Sequence, residues 1–136
     1  MNVYVLDANI VSFYLKENDS VINHITRSLS AGEEILIAPI AYYEVRRGLL
    51  AIGSTRRMNE FDRLCEMLTV GRLDNDILDI AADIYNDLRK IGRITDDADI
   101  FIAAFCKHHD FILVTNNTKH FENIAGLNIV DWTIEQ

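Results

Sequence analysis

The chain has 136 residues and a mass of 15.5 kDa, nearly half of them apolar and a quarter charged, with a formal net charge of −8. That is room for a single domain, residues 1–136, with a buried core, and the composition is globular rather than disordered or fibrous. The acidic balance excludes a generic nucleic-acid coat, which needs a basic surface to neutralise phosphates. It does not exclude an enzyme that acts on nucleic acid.

The longest unbroken apolar run, Ile100 to Cys106, is far too short to cross a bilayer, so no membrane association is expected. Met1 to Asp7 lacks a basic region, and no signal peptide is expected. Cys65 and Cys106 sit in apolar company without metal-ligand spacing. That suits a reducing cytoplasm and implies neither a disulfide framework nor zinc.

In chain order, Val3 to Leu6 is a β-rich run that reads as a central, buried strand. Asp7 ends it, and Ile10, Phe13 and Tyr14 then recur at helical spacing. Asn18-Asp19-Ser20 caps a second helix whose face is Val21, Ile22, Ile25 and Leu29, closed by Gly32. Ile35 to Ala38 is the second strand. Pro39 opens a helix predicted from Ile40 to about Leu50, and Gly53 ends it. A further helix is predicted from about Thr55 to Leu68, followed by a weak strand, Leu68 to Val70. Ile77 to Ile91 is the clearest helix, with Ile77, Ile80, Ala81, Ile84, Leu88 and Ile91 on one stripe and Asp79, Asp83 and Asp87 opposite. Asp97 to about Lys107 is apolar nearly all round. It reads as a buried helix because Ala103-Ala104 favour helix and His108-His109 make a favourable end. Phe111 to Val114 and Leu127 to Val130 are the last two strands. The alternation predicts an α/β fold, an open parallel β-sheet of four to five strands flanked by helices on both faces.

In such sheets the working crevice lies beyond the carboxyl ends of the strands. Three acids stand there. Asp7 directly follows the first strand, Glu44 lies on the second turn of the helix after the second, and Asp99 opens the buried helix leading to the fourth. Each also has a plain structural reading: Asp7 as a helix cap, Glu44 as a solvated helix residue, Asp99 as one of three acids favouring a helix start. Asp99 shares its face with Ile102, Ala103 and Cys106, and a carboxylate drawn toward a core is costly unless compensated. No Lys or Arg stands out as its partner, and a divalent cation would serve. Carboxylates without Cys or His suit Mg²⁺ or Mn²⁺ better than zinc. The four histidines, His24, His108, His109 and His120, show no ligand pattern. Charge is segregated: nine Asp between Asp74 and Asp110 follow a stretch holding Arg46, Arg47, Arg56, Arg57, Arg63 and Arg72. On composition alone those arginines read as a solvated helix face.

Val5-Leu6-Asp7-Ala8-Asn9-Ile10, the segment from Ile40 to Leu49, Asp99 to Ala104, Leu113 to Phe121, Gly126-Leu127 and Asp131-Trp132 form an ordered set of motifs over essentially the whole chain. Together they resemble PIN-domain ribonucleases, and more closely the VapC-type toxins of bacterial and archaeal toxin–antitoxin pairs. The resemblance puts the family's three core acids on Asp7, Glu44 and Asp99, with the metal on Asp7 and Asp99. A fourth acidic position of many members falls on Asn117, an amide that can coordinate through oxygen but adds no charge. Asn9 and Thr115 become supporting polar groups, and Asp96 an acid one step back from the metal. The implied activity is Mg²⁺-dependent endoribonuclease (Mn²⁺ as the alternative ion), with water attacking in line to leave a 5′-phosphate and a 3′-hydroxyl. Arg46, Arg47, Arg56 and Arg57 would hold RNA phosphates beside the acids. The resemblance further implies a tRNA substrate, a small VapB-like antitoxin whose tail covers the site, a homodimer and a cytoplasmic location.

Three rivals share some of these features. A phosphatase of the haloacid-dehalogenase type needs a second Asp two residues after the first, where Asn9 stands. A phosphoacceptor receiver domain needs an acidic pair after strand one, an isolated Asp after strand three and a Lys after the last strand, none of which is found. A PIN-like module that binds without catalysis is the third, and retention of all three acids counts against it.

Overall fold

The computed structural model describes residues 1–134. Five strands, β1 (Val3–Leu6), β2 (Glu34–Ile37), β3 (Thr69–Val70), β4 (Ile112–Val114) and β5 (Ile129–Val130), form one sheet in the order β3-β2-β1-β4-β5. Every pairing is parallel. Six helices connect them: α1 (Ala8–Leu15), α2 (Asp19–Ser30), α3 (Pro39–Ile52), α4 (Thr55–Met67), α5 (Asn75–Lys90) and α6 (Asp97–His109). The chain moves outward from β1 to β3, then returns to the other side of β1 at β4. Right-handed crossovers therefore put α1–α4 and α5–α6 on opposite faces. Val5 and Leu6, which point to opposite faces, are both fully buried, as a sheet covered twice requires.

The local signals hold where they are strongest. Asn18 caps α2 through Val21 N, as read; Ser54 caps α4 through Arg57 N and Asp74 caps α5 through Ile77 N, two caps that the sequence did not single out. Ile77, Ala81, Ile84 and Leu88 of α5 are buried, while Ile91 is 58% exposed. The stripe overreaches there because α5 stops at Lys90 and Ile91 is already its C-cap. The edge strand β5 is half the expected length, having only β4 to pair with. The apolar segment before β4 is helical, as read, and runs on through His109 to a left-handed Asp110.

Gly71 has a role that the sequence did not single out. A Cβ at that position would stand 2.6 Å from the ring of Phe105, so the backbone leaving β3 approaches α6 as only glycine allows. Its N–H donates to the Ile37 carbonyl at 2.8 Å. Among the described residues no helix is long and apolar enough to cross a membrane.

Candidate active site

The strand order reverses between β1 and β4, and this switch point is where an open α/β sheet leaves a crevice at its carboxyl edge. Asp7 leaves β1 there and Thr115 leaves β4. Their backbones are held side by side: Asp7 N–H donates to Val114 O at 3.1 Å, and Thr115 N–H to Val130 O at 3.0 Å. The Thr115 hydroxyl donates to Asp7 Oδ2, and Ile10 N–H donates to Asp7 Oδ1 at 3.0 Å. Asp7 is thus both the cap of α1 and a carboxylate fixed at the crevice; the two readings of this residue do not compete.

Asp7 is only 6% exposed. Burial pushes its carboxyl up to about 6, against the pull of the Thr115 and Ile10 hydrogen bonds, and the charges of Asp99 and Glu44 push the same way. Glu44, half-buried on α3, is raised by burial, lowered by Arg47, and raised by Asp99 and Asp96. Asp99, in the first turn of α6, is raised by burial and by Asp96 and lowered mainly by His120. Three chain segments therefore converge on one crevice, each acid felt by the next.

The donor set is oxygen only, which fits a small hard cation. Among the described residues no three His, Cys, Asp or Glu side chains close a cage by themselves. An ion held by Asp7 and Asp99 would complete its shell from water and phosphate, as Mg²⁺ commonly does.

The supporting residues divide. Thr115 is fully buried against Asp7. Asn117 donates its backbone N–H to Thr115 Oγ1 at 3.0 Å and so braces the same hydroxyl. Asp96 sits at the N-terminus of α6 and acts electrostatically on both Glu44 and Asp99. Asn9 is exposed in the first turn of α1. Of the arginines, Arg46 is engaged by Asp62 at 2.9 Å and lies along the Tyr42 ring, which turns it toward α4. Arg47 lies over Tyr43 and faces Glu44. Arg56 makes a loose, exposed pair with Glu60 at 3.8 Å, and Arg57 lines a groove shared with Glu44.

Two features escaped the sequence. His120 Nδ1 lies 3.1 Å from Asp99 Oδ2, a partner for this carboxylate where no Lys or Arg stands. The two residues are far apart in sequence and share no element, so only the fold pairs them. Asn116 Oδ1, one residue before Asn117, is buried without a hydrogen-bond partner in the described structure.

The PIN domain family model matches residues 4–127, which contain every acid of the crevice. This chain belongs to the PIN-domain family. Within it the chain falls among the VapC ribonucleases. It is 35% identical to ribonuclease VapC1 of Methanocaldococcus jannaschii over 74% of this chain and 71% of that protein. It is 28% identical to the tRNA(fMet)-specific endonuclease VapC of Shigella flexneri over 96% of this chain and 98% of that one. Among solved structures, VapBC-1 from nontypeable Haemophilus influenzae superposes with a TM-score of 0.83 at 27% identity, covering 97% of this chain and 99% of the other. Membership of the family decides against the phosphatase and receiver readings of Asp7.

Proposed function

We propose that this PIN-domain protein is a Mg²⁺-dependent endoribonuclease and the toxin of a toxin–antitoxin pair, cutting tRNA in the cytoplasm as a homodimer. One observation carries the catalytic part: three separate segments bring Asp7, Glu44 and Asp99 to the switch point of the sheet, near enough that Asp99 and Glu44 both raise Asp7 and Asp99 raises Glu44. Acids gathered at such a position, with only Arg47 and His120 to offset two of them, favour a cation over any neutral ligand.

Asp7 and Asp99 would hold the Mg²⁺ or Mn²⁺, with Glu44 as a third ligand or a partner through water. The bound ion supplies Lewis-acid activation of the scissile phosphate and a more acidic attacking water, so no side-chain nucleophile is needed. The rest is positioning by the chain itself. Thr115 and the N-terminus of α1 fix both oxygens of Asp7, which removes rotamer freedom from that ligand. Thr95 and His120 do the same for Asp99 Oδ2, at 3.5 Å and 3.1 Å.

The tRNA substrate is supported by the name of the Shigella flexneri relative, and a VapB-like partner by the Haemophilus influenzae VapBC-1 structure. Total RNA incubated with the purified protein in Mg²⁺ tests the proposal. Cuts bearing a 5′-phosphate and a 3′-hydroxyl, mapped by end sequencing to tRNA and lost in EDTA and in Asp99→Asn, are the expected result. An unchanged RNA profile in Mg²⁺ and in Mn²⁺ would leave the non-catalytic binding module as the better reading.

A further inference from the structure

Between α1, α3 and α4 a groove of about 190 Å³ opens beside Glu44. Its floor is aliphatic, formed by the buried side chains of Leu15, Val45 and Leu49. Lys16 and Arg57 stand in its lining, and neither enters an ion pair among the described residues. Gly48, well inside α3, completes that lining. A Cβ on Gly48 would meet nothing within 4 Å, so no packing constraint explains a residue that weakens a helix interior. The helix forgoes stability at a position where a side chain would stand in the groove.

We infer that this groove is a nucleotide subsite of the ribonuclease centre: the base next to the scissile phosphate lies on the aliphatic floor over Gly48, and its own phosphate sits between Lys16 and Arg57. The inference rests on the ribonuclease reading above and adds the path by which the strand leaves the acids. Lys16 and Arg57 outnumber Glu44 in the lining, so the groove carries a net positive charge that suits an anionic occupant, and the aliphatic floor suits one with an uncharged face. A nucleotide has both. A basic protein segment would instead meet Lys16 and Arg57 with like charge. The volume lies below the roughly 300 Å³ at which pockets for drug-sized ligands begin, which fits a single base. The floor offers no hydrogen-bond code, so the subsite grips RNA without selecting sequence.

The test is fluorescence anisotropy with a short fluorescein-labelled single-stranded RNA in EDTA, which blocks cleavage, titrated at several salt concentrations. Arg57→Ala and Lys16→Ala each weaken binding and lower the logarithmic salt slope, the two together by about 0.7, the contribution of one phosphate contact on a single strand. Gly48→Leu weakens binding about ten-fold, the scale of one lost base contact, with the salt slope unchanged. Because Leu is the better helix former, this variant melts no lower than the parent, so a binding loss is not a folding loss. Lys90→Ala, at the distant end of α5, binds as the parent does. Parental RNA affinity in Gly48→Leu, or a parental salt slope in Arg57→Ala, overturns the subsite. So does a Gly48→Leu protein that keeps RNA but loses a basic-tailed protein partner. If the parent protein cuts RNA while all three groove variants bind normally, only the subsite fails; if the parent neither binds nor cuts RNA, the ribonuclease reading fails with it.

Discussion

The outer face of α5 and the carboxyl edge of the sheet are both rich in acid, and they behave differently. Asp79, Asp83 and Asp87 succeed one another at helical spacing and lie exposed to water. Asp7, Glu44 and Asp99 come from three separate segments and are drawn partly or wholly out of water, each shifted upward chiefly by burial and further by a nearby carboxylate. Local density of carboxylates is therefore no guide to a site in this molecule. Convergence from distant segments is, because only an arrangement with some use offsets the cost of crowding like charges out of water.

The sharpest way to break this contrast is to neutralise one acid from each region. Asp7→Asn or Asp99→Asn should lower Mg²⁺-dependent RNA cleavage by more than about 100-fold, beyond the effect of losing a residue that merely orients a ligand. Asp83→Asn should leave the rate unchanged in the same gel assay.

Stability should move the opposite way. In metal-free protein Asp7 titrates near 6 when folded against 3.8 ordinarily. A raised carboxyl stabilises the fold fully below its unfolded value, and that contribution is lost as pH rises through the folded value. Asp7→Asn, which keeps the cap of α1, should therefore gain about 3 kcal/mol over the parent in EDTA at neutral pH. The gain should shrink toward zero as pH falls through 6 to 4, measured by urea unfolding. Asp83→Asn should change stability by less than about 0.5 kcal/mol at any pH.

Removing the hydroxyl that steadies Asp7 comes next in size. Thr115→Val keeps the volume and should cost about 1–3 kcal/mol at neutral pH, since a buried acceptor loses its donor. The same variant should weaken Mg²⁺ activation by about 10–100-fold, read as a shift in the metal concentration for half-maximal cleavage. His120→Ala should have the smallest effect, under about 1 kcal/mol and reduced further by salt, because the pair with Asp99 is half-exposed.

What the sequence disclosed follows from which interactions are local. The α5 stripe, the cap at Asn18, and the short apolar runs of β1, β2 and β4 are written in neighbouring residues, and the structure has them within a residue or two. Ile91 misled because periodicity does not say where a helix stops. The three acids were legible through their positions after strands and through the ordered motifs. The pairing of His120 with Asp99 and the engagement of Arg46 by Asp62 were not, since each joins side chains of separate elements whose approach is set by the packing of the whole. The groove over Gly48 was equally silent, because a glycine within a helical pattern says only that the helix is weakened there.

The tie between Asp7 and Thr115 spans 108 residues, nearly the full chain. β1, which leads to Asp7, and β4, which leads to Thr115, are neighbours in the sheet but are separated in sequence by α1 and the five helices that follow it. A chain cut before β4 would lack both the hydroxyl that steadies Asp7 and the carbonyl of Val114 that holds its backbone, so the crevice is a property of the whole sheet and of no one half of it.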